Sequence, residues 1–583
     1  MRPRFLAVLD TGRGGASPEL RDRVRIALPC ERRQADDVLF LHEATPCIDL
    51  PRAGGWIVGN LFGRSANDRV SRLSTAQDLA VASTGGDILL RGFWGRYAAI
   101  WRGTGGPHAL RDPSGMLPVY WARAHGLDLV TSDVELLIAT GLIEPSVAWE
   151  MVRHGLLYPQ LPTARTHLTG VRELLPGARV ALTETKASPT LLWKPWTFAN
   201  PDPALGASAA DRARLANIVD ESVAAWSSGH GHIQLELSGG LDSSILAASL
   251  ARTGRHFSCV NMASPGSDGD ERGYARAVAD HVGVALAEFS TSPDLADPFA
   301  ALPRWTPRPR GMRIMAALDQ IFERAARDAD ADAIFSGGGG DNVFCYTNST
   351  APVLDAWDAH GLPAARMAAV DVARVTRTTV GQVYAHALKR WCVDRTRRSW
   401  PADRSFLAAG VRCKADRHPW LDLPPDSSSG TRAHIGAIVR IHDILDAHQR
   451  MAEQTMIFPL LSQPVVEACL AIPSWHWVAG GRDRAVARDA FAARLPGMIV
   501  RRAGKGVLNS LLLPAFERTR PRMRDLLCEG ALARAGLLDR GTIAAALGRP
   551  IAERPDIYGR ILELVDAELW VEGVIAGPRH GHV

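Results

Sequence analysis

The chain has 583 residues, 46% of them hydrophobic, and a formal net charge of +5, which excludes a disordered or collagen-like polymer and allows roughly two to four domains. Its eight cysteines, at 30, 47, 259, 345, 392, 413, 469 and 528, include no Cys-x-x-Cys pair, which excludes a disulfide-stapled mini-domain and points to free thiols. So small a charge excess gives no ground for a nucleic-acid partner. No apolar run is long enough to cross a membrane or act as a signal peptide, so a cytoplasmic protein is expected.

From residue 1 to about 185, short apolar runs bounded by Gly, Pro and Asp predict a β-rich unit, with strands at 55–58, 87–90, 97–101, 118–121 and 127–130 and a helix after Asp133. Residues 183–210, rich in Pro, Ala, Ser and Trp and without periodicity, read as a linker. From Asp211 the spacing changes to 3.6, placing Leu215, Ile218, Val219, Val223 and Trp226 on one helix face. A strand at 233–237, a helix from Ser243, a strand at 257–262, a helix with Tyr274, Ala275, Val278, Ala279 and Val282 on one face stopped by Gly283, and a strand at 331–335 follow. This alternation predicts a parallel sheet covered on both sides. Residues 350–450 read as mostly helical with a break at 423–430. The basic run 389–404, interleaved with Trp391 and Trp400, reads as a solvated helix face, with peptide or RNA binding as the sharper alternative. The expected fold class is α/β: a β-rich N-terminal unit at 1–195 and a parallel α/β unit with a helical C-terminal part at 208–575.

The strongest chemical signal is Leu237-Ser238-Gly239-Gly240-Leu241-Asp242-Ser243-Ser244, between a predicted strand and a predicted helix. Two glycines let backbone N–H groups approach a polyanion, the hydroxyls of Ser238, Ser243 and Ser244 add donors, and the helix N-terminus adds partial positive charge. No Walker A loop, His-Glu-x-x-His or Gly-x-Ser-x-Gly sequence occurs. A second glycine loop, Ser336-Gly337-Gly338-Gly339-Gly340-Asp341, follows the third strand, where an open α/β sheet binds ligands. Lysine is scarce, five of the 67 basic residues, and Lys505 stands in an Arg-Ala-Gly-Lys-Gly stretch.

With Gly92, Arg96 and Tyr97, Arg111-Asp112-Pro113-Ser114-Gly115, Gly170-Val171-Arg172-Glu173-Leu174, Asp270-Glu271, Phe458-Pro459-Leu460-Leu461 and Arg502-Ala503-Gly504-Lys505-Gly506, these motifs resemble the asparagine synthetase superfamily from about residue 85 to 510. The resemblance implies a glutaminase-like, Ntn-type N-terminal domain and an ATP-pyrophosphatase-type synthetase domain. It implies an ATP- and Mg²⁺-dependent amide ligase that passes through an acyl-adenylate. Ser238, Gly239, Gly240, Ser243 and Ser244 would cradle phosphates, with Ser336 and Gly337 beside them. Leu237 and Val260 would line the adenosine site, Asp242 and Asp341 would bind Mg²⁺, and Lys505 would stabilise charge in the transition states.

Two departures modify this. Glutamine-dependent members carry an N-terminal cysteine, whereas this chain begins Met-Arg-Pro and its first cysteine is Cys30, so glutaminase activity is not expected. Asparagine synthetases have Ser-Gly-Glu-Gly-Ser-Asp-Glu in the glycine loop and β-lactam synthetases a tyrosine at the glutamate; here Gly338 stands there and Asn342 follows the aspartate. The bare loop is expected to open room for a bulkier acyl group. The chain thus looks most like the lasso peptide macrolactam synthetases, which implies a precursor peptide as substrate and a leader protease and leader-binding protein as partners. An asparagine or β-lactam synthetase and a non-catalytic peptide-binding scaffold are the alternatives.

Overall fold

The computed structural model describes residues 3–10, 31–35, 38–42, 46–65, 67–103, 105–182, 187–199, 205–206, 208–266, 269–302, 305–310, 313–394, 400–424, 427–447, 455–504, 506 and 508–577. Strands β1 (Phe5–Asp10), β2 (Glu31–Ala35), β3 (Val38–His42), β4 (Cys47–Leu50), β5 (Gly55–Gly63), β6 (Phe93–Gly103), β7 (Gly106–Arg111), β8 (Tyr120–Ala124), β9 (Leu127–Thr131), β10 (Val171–Glu173), β11 (Ala178–Leu182) and β12 (Ala187–Leu191) build two antiparallel sheets. Their orders are β10-β8-β9-β1-β3-β2 and β12-β11-β7-β6-β5-β4. The period-two rule explains how the first sheet is used: Phe5, Ala7 and Leu9 of β1 pack with Trp56, Val58 and Ile100 of the second sheet, while Leu6 and Val8 face the other way. There they meet Phe516 of helix α10 (Asn509–Glu529) and Ile561, Leu564 and Trp570 of α11 (Tyr558–Ala576).

The synthetase half is a parallel sheet in the order β15-β14-β13-β16-β17, from β13 (Ile233–Glu236), β14 (Phe257–Ala263), β15 (Leu286–Ser290), β16 (Ala333–Ser336) and β17 (Met456–Ile457). It is accompanied by α1 (Ala209–Ser227), α2 (Leu241–Thr253), α3 (Arg272–Val282) and α4 (Ala316–Asp328). Each helix ends as the residues dictate: Ser208 caps α1 in a capping box with Asp211, and α2 and α3 stop at the left-handed glycines Gly254 and Gly283. Outside this sheet, α5 (Ala351–His360), α6 (Leu362–Thr376) and α7 (Val380–Asp394) share a small core of Val353, Ala356, Ala369, Val372 and Val383, and α8 (Ser429–Ile444) returns toward the sheet.

The two halves share one core. Trp226 of α1 stands edge-on to Phe62 at 4.9 Å and to Trp94 at 6.0 Å, and Arg64 donates bidentately to Glu467 at 2.7 Å. Glu467 also accepts from the Trp193 indole at 2.9 Å.

Three expectations need correction. Residues 87–90 are helical, within Asp87–Gly92, because Leu89 and Leu90 are buried together rather than alternately. Within 183–210, residues 187–191 form β12 on the edge of the second sheet, pairing with β11. The region 350–450 is mostly helical as expected, but its break is wider than 423–430: between 400 and 424 the only helical piece is the single turn Pro419–Leu421.

Candidate active site

Strand β13 ends at Glu236, and the next four residues turn into α2. Gly239 has φ +67°, a left-handed conformation, and a Cβ there would strike Tyr274 and the backbone of Ala275, so only glycine fits. Gly240 is the N-cap of α2, and no side chain caps that end, leaving its dipole directed at the turn. The Ser238 and Ser243 hydroxyls lie 3.2 Å apart across the turn. Ser244 is fully buried and donates to the Gly240 carbonyl at 2.7 Å, so its hydroxyl braces the loop from behind and is not one of the outward-facing donors expected from the sequence.

The second glycine loop leaves β16, the neighbour of β13 on the side away from β14, so both loops emerge at the carboxyl edge where the strand order reverses. They interlock at van der Waals distance: a Cβ on Gly337 would lie 2.8 Å from the Ser243 nitrogen, and one on Gly340 would lie 2.6 Å from Cβ of Asp242. A Cβ on Gly338 would lie 2.9 Å from the Phe458 ring. The expectation that the glycines open room for an acyl group is therefore corrected at Gly338, where an aromatic ring already fills the space. Asn342, the other departure in this loop, donates to the Ala437 carbonyl of α8 at 2.7 Å and ties the loop to that helix. Beneath it, burial lowers the pKa of His434 to about 4, and the neutral imidazole hydrogen-bonds the Val343 carbonyl at 2.8 Å.

The interlocked loops bring Asp242 and Asp341 to one arginine. Nη1 of Arg484, which precedes α9 (Ala485–Phe491), donates to both carboxylate oxygens of Asp242, at 3.0 and 3.1 Å, and to Asp341. Its Nη2 donates to Asp483 at 3.2 Å. Burial opposes the Arg484 charge, but Asp242, Asp341 and Asp483 override it and hold the pKa above the ordinary arginine value. Its φ is +50°, a strained backbone for a residue with a Cβ, which the surrounding ion pairs hold in place. Nothing in the sequence separated this residue from the other arginines.

One more segment closes the site. Arg502 donates to the Gly239 carbonyl at 2.9 Å and to Glu271, and its guanidinium lies 3.9 Å above the Tyr274 ring. Glu271 also accepts from the Gly506 N–H at 2.9 Å. Arg488 donates to the Ile499 and Val500 carbonyls at 3.2 and 3.1 Å, fixing the chain that leads into Arg502. Lys505 lies outside the described residues; its neighbours Gly504 and Gly506 are placed beside the first loop by these contacts.

Together these elements enclose a cavity of about 640 Å³. Leu237, Ser238, Gly240, Asp242, Ser243, Val260, Ser336, Gly337 and Asp341 line it, while Gly239 and Ser244 stand behind the wall. Met262, Met315, Leu318 and Phe322, which the sequence did not single out, supply an apolar side next to Leu237 and Val260. Asn261 Nδ2 donates to the Leu237 carbonyl at 2.7 Å, fixing the spacing of β13 and β14 at that wall.

Residues 214–572 match the family model described as asparagine synthase. The chain belongs to the asparagine synthase family. Among solved structures it is similar to "Structure of the allosteric regulatory enzyme of purine biosynthesis", at 12% identity over 51% of this chain and 76% of that one with a TM-score of 0.21. It is also similar to glutamine phosphoribosylpyrophosphate amidotransferase from B. subtilis complexed with ADP and GMP, at 11% identity over 57% and 90% with a TM-score of 0.23. No curated protein matches the chain. None of the described helices is long and apolar enough to cross a membrane.

The carboxylates here that would meet a Mg²⁺ ion are Asp242 and Asp341, both engaged by Arg484. Among the described residues no group of three His, Cys, Asp or Glu side chains forms a metal site, but Asp242 and Asp341 lie within reach of one nitrogen atom. Two carboxylates completed by phosphate oxygens are the usual surroundings of that cation.

Proposed function

We propose that this family member is an ATP-dependent ligase that activates an Asp or Glu side-chain carboxylate of a precursor peptide and closes a macrolactam with the peptide's N-terminal amine, as a lasso peptide cyclase does. In this reading the turn 238–243 and the N-terminus of α2 receive the phosphates, and Leu237, Val260 and Met262 pack on the adenosine. Asp242 and Asp341 would hold Mg²⁺, which would supply charge neutralisation for the departing pyrophosphate. The peptide carboxylate attacks the α-phosphorus as pyrophosphate leaves. The amine then attacks the activated carbonyl, loses a proton, and AMP leaves. Lys505 follows the negative charge in both steps, helped by the placement of its segment through Glu271 and Arg502. Ring closure is intramolecular, so the protein's task after activation is to hold the two ends in a near-attack arrangement.

The observation that carries the peptide reading is the bare wall at Gly337, Gly338 and Gly339. Where the small-substrate synthetases of the resemblance carry an acid/base side chain, this chain presents backbone, with Phe458 behind it. An amine that is already free needs no such group. A leader protease and a leader-binding protein belong to the same proposal.

The test is release of AMP and pyrophosphate by the chain with ATP and Mg²⁺, offered either aspartate with ammonia or a linear peptide with a free amine and an internal Asp or Glu. Peptide-dependent release with loss of one water from the peptide is the expected result, abolished by Lys505→Ala. Release with aspartate alone identifies a small-substrate synthetase, and peptide binding without any release identifies a scaffold.

A further inference from the structure

A second cavity, about 1290 Å³, shares α8 with the first: Ile441 lines the first, and Arg432, Gly436 and Arg440 line the second. The two also meet along the chain after the glycine loop. Tyr346 lines the first and Asn348 the second, two residues apart and so within about 7 Å along the backbone.

The lining of this second cleft contains Lys389, Arg390, Arg404, Arg432 and Arg440 and, among the described residues, not one Asp or Glu. Many arginines elsewhere in the molecule pair with acids: Arg64 with Glu467, Arg165 with Asp416, Arg494 with Asp220. Here Arg404 donates to the Val411 carbonyl at 3.2 Å and Arg440 to the Gln160 side-chain oxygen at 3.2 Å, neutral partners that orient a cation without neutralising it. Nε of Arg432 is buried with no hydrogen-bond partner among the described residues. Lys389, Arg404, Arg432 and Arg440 on one concavity raise each other's electrostatic energy, a cost that an anionic ligand removes.

We propose that this cleft binds an extended acidic segment of the peptide substrate, leaving the reacting end over the glycine loop. The inference rests on the peptide reading above. Side chains in the cleft favour peptide over nucleic acid. Single-stranded nucleic acids need free aromatic faces for stacking, but the Trp400 ring is covered by the Arg440 guanidinium at 4.3 Å and the Tyr158 hydroxyl is bonded to the Cys413 carbonyl at 3.0 Å. Asn348, Ser349 and Thr350 line the opposite rim with the short donors and acceptors that an extended backbone uses.

The experiment uses the full chain and a fluorescein-labelled alternating Glu-Gly peptide of about ten residues, titrated without ATP and followed by anisotropy. Lys389→Glu with Arg404→Glu, both exposed and outside the ATP cavity, should weaken binding at least about tenfold and flatten its salt dependence. The same variant should leave the ATP dependence of AMP release unchanged. The single variant Lys389→Ala should weaken binding less, in the same direction. Equal affinity of wild type and variants, no binding by the wild type, or equal binding of a Ser-Gly peptide overturns the proposal. Preference for an oligouridylate of similar length overturns it in favour of RNA. If the acidic peptide binds as expected but no peptide supports AMP release, the cleft stands and the macrolactam reading fails; the reverse pattern sinks the cleft alone.

Discussion

Glu173 and Asp242 are both carboxylates buried against arginine, and the contrast between them separates support from chemistry in this molecule. Glu173 accepts from Arg111 at 2.8 Å and from Arg308 at 2.5 Å, and those guanidiniums also donate to the Leu174, Gly115 and Thr163 carbonyls. All three residues are at most 5% exposed. The knot is sealed, joining β7, β10 and the loop before α4. Around Asp242 the same chemistry is left open on one side: Arg484 bridges Asp242 and Asp341, and all three residues line the cavity between the two glycine loops. Two motifs that resemble one family thus play different parts. The Arg111 and Glu173 motifs rivet the N-terminal half, and the Asp242 and Asp341 motifs leave charge facing an open cavity.

The sharpest way to break this contrast is at the sealed knot. Glu173→Gln leaves Arg111 buried without its counter-charge and Arg308 with only Asp443, 3.5 Å away, and should cost about 3–5 kcal/mol in denaturant unfolding. Burial alone would raise the Glu173 pKa, but Arg308 and Arg111 more than offset this and hold it below the ordinary value. Its contribution is therefore complete above the ordinary glutamate range and is lost as pH falls through the lowered folded value, so wild type and variant should converge in acid. A gap that stays constant down to acid pH would show that the charge is not what matters. At the open cluster, Asp341→Asn should cut pyrophosphate release by about 100- to 1000-fold while the thermal midpoint moves little, since Arg484 keeps Asp242 and Asp483. A large loss of stability there would make both clusters structural. The smallest effect belongs to Gly338→Ala, which pushes the Phe458 ring and should cost about 1–3 kcal/mol by thermal unfolding. Phe458→Leu in the same chain should recover most of it; no recovery would mean that the loop needs glycine for another reason.

The phosphate turn was legible because all of it lies in one strand-turn-helix unit, where glycines, hydroxyls and Asp242 can be read side by side. Arg484 was not: it comes from a distant segment, nothing local marks a left-handed arginine, and arginine is everywhere in this chain. Asn342 looked like a functional departure because the sequence shows what it replaces but not the Ala437 carbonyl it bonds. Misread elements have equally local causes. Ile88, Leu89 and Leu90 are an apolar run too short to tell helix from strand. Strand β12 carries Pro189, which an edge strand tolerates but which reads as a breaker. At two residues, β17 has no period to detect, and only its pairing with β16 makes it a strand.

That short strand is the edge of the parallel sheet, and the buried Nη1 of Arg96, from β6 in the N-terminal half, donates to its Met456 carbonyl at 2.9 Å. An open edge next to an uncovered Trp226 is a template for strand addition by another chain. The N-terminal half thus caps one carbonyl of that edge and covers the neighbouring Trp226, and removing it would bare both to pairing with another chain.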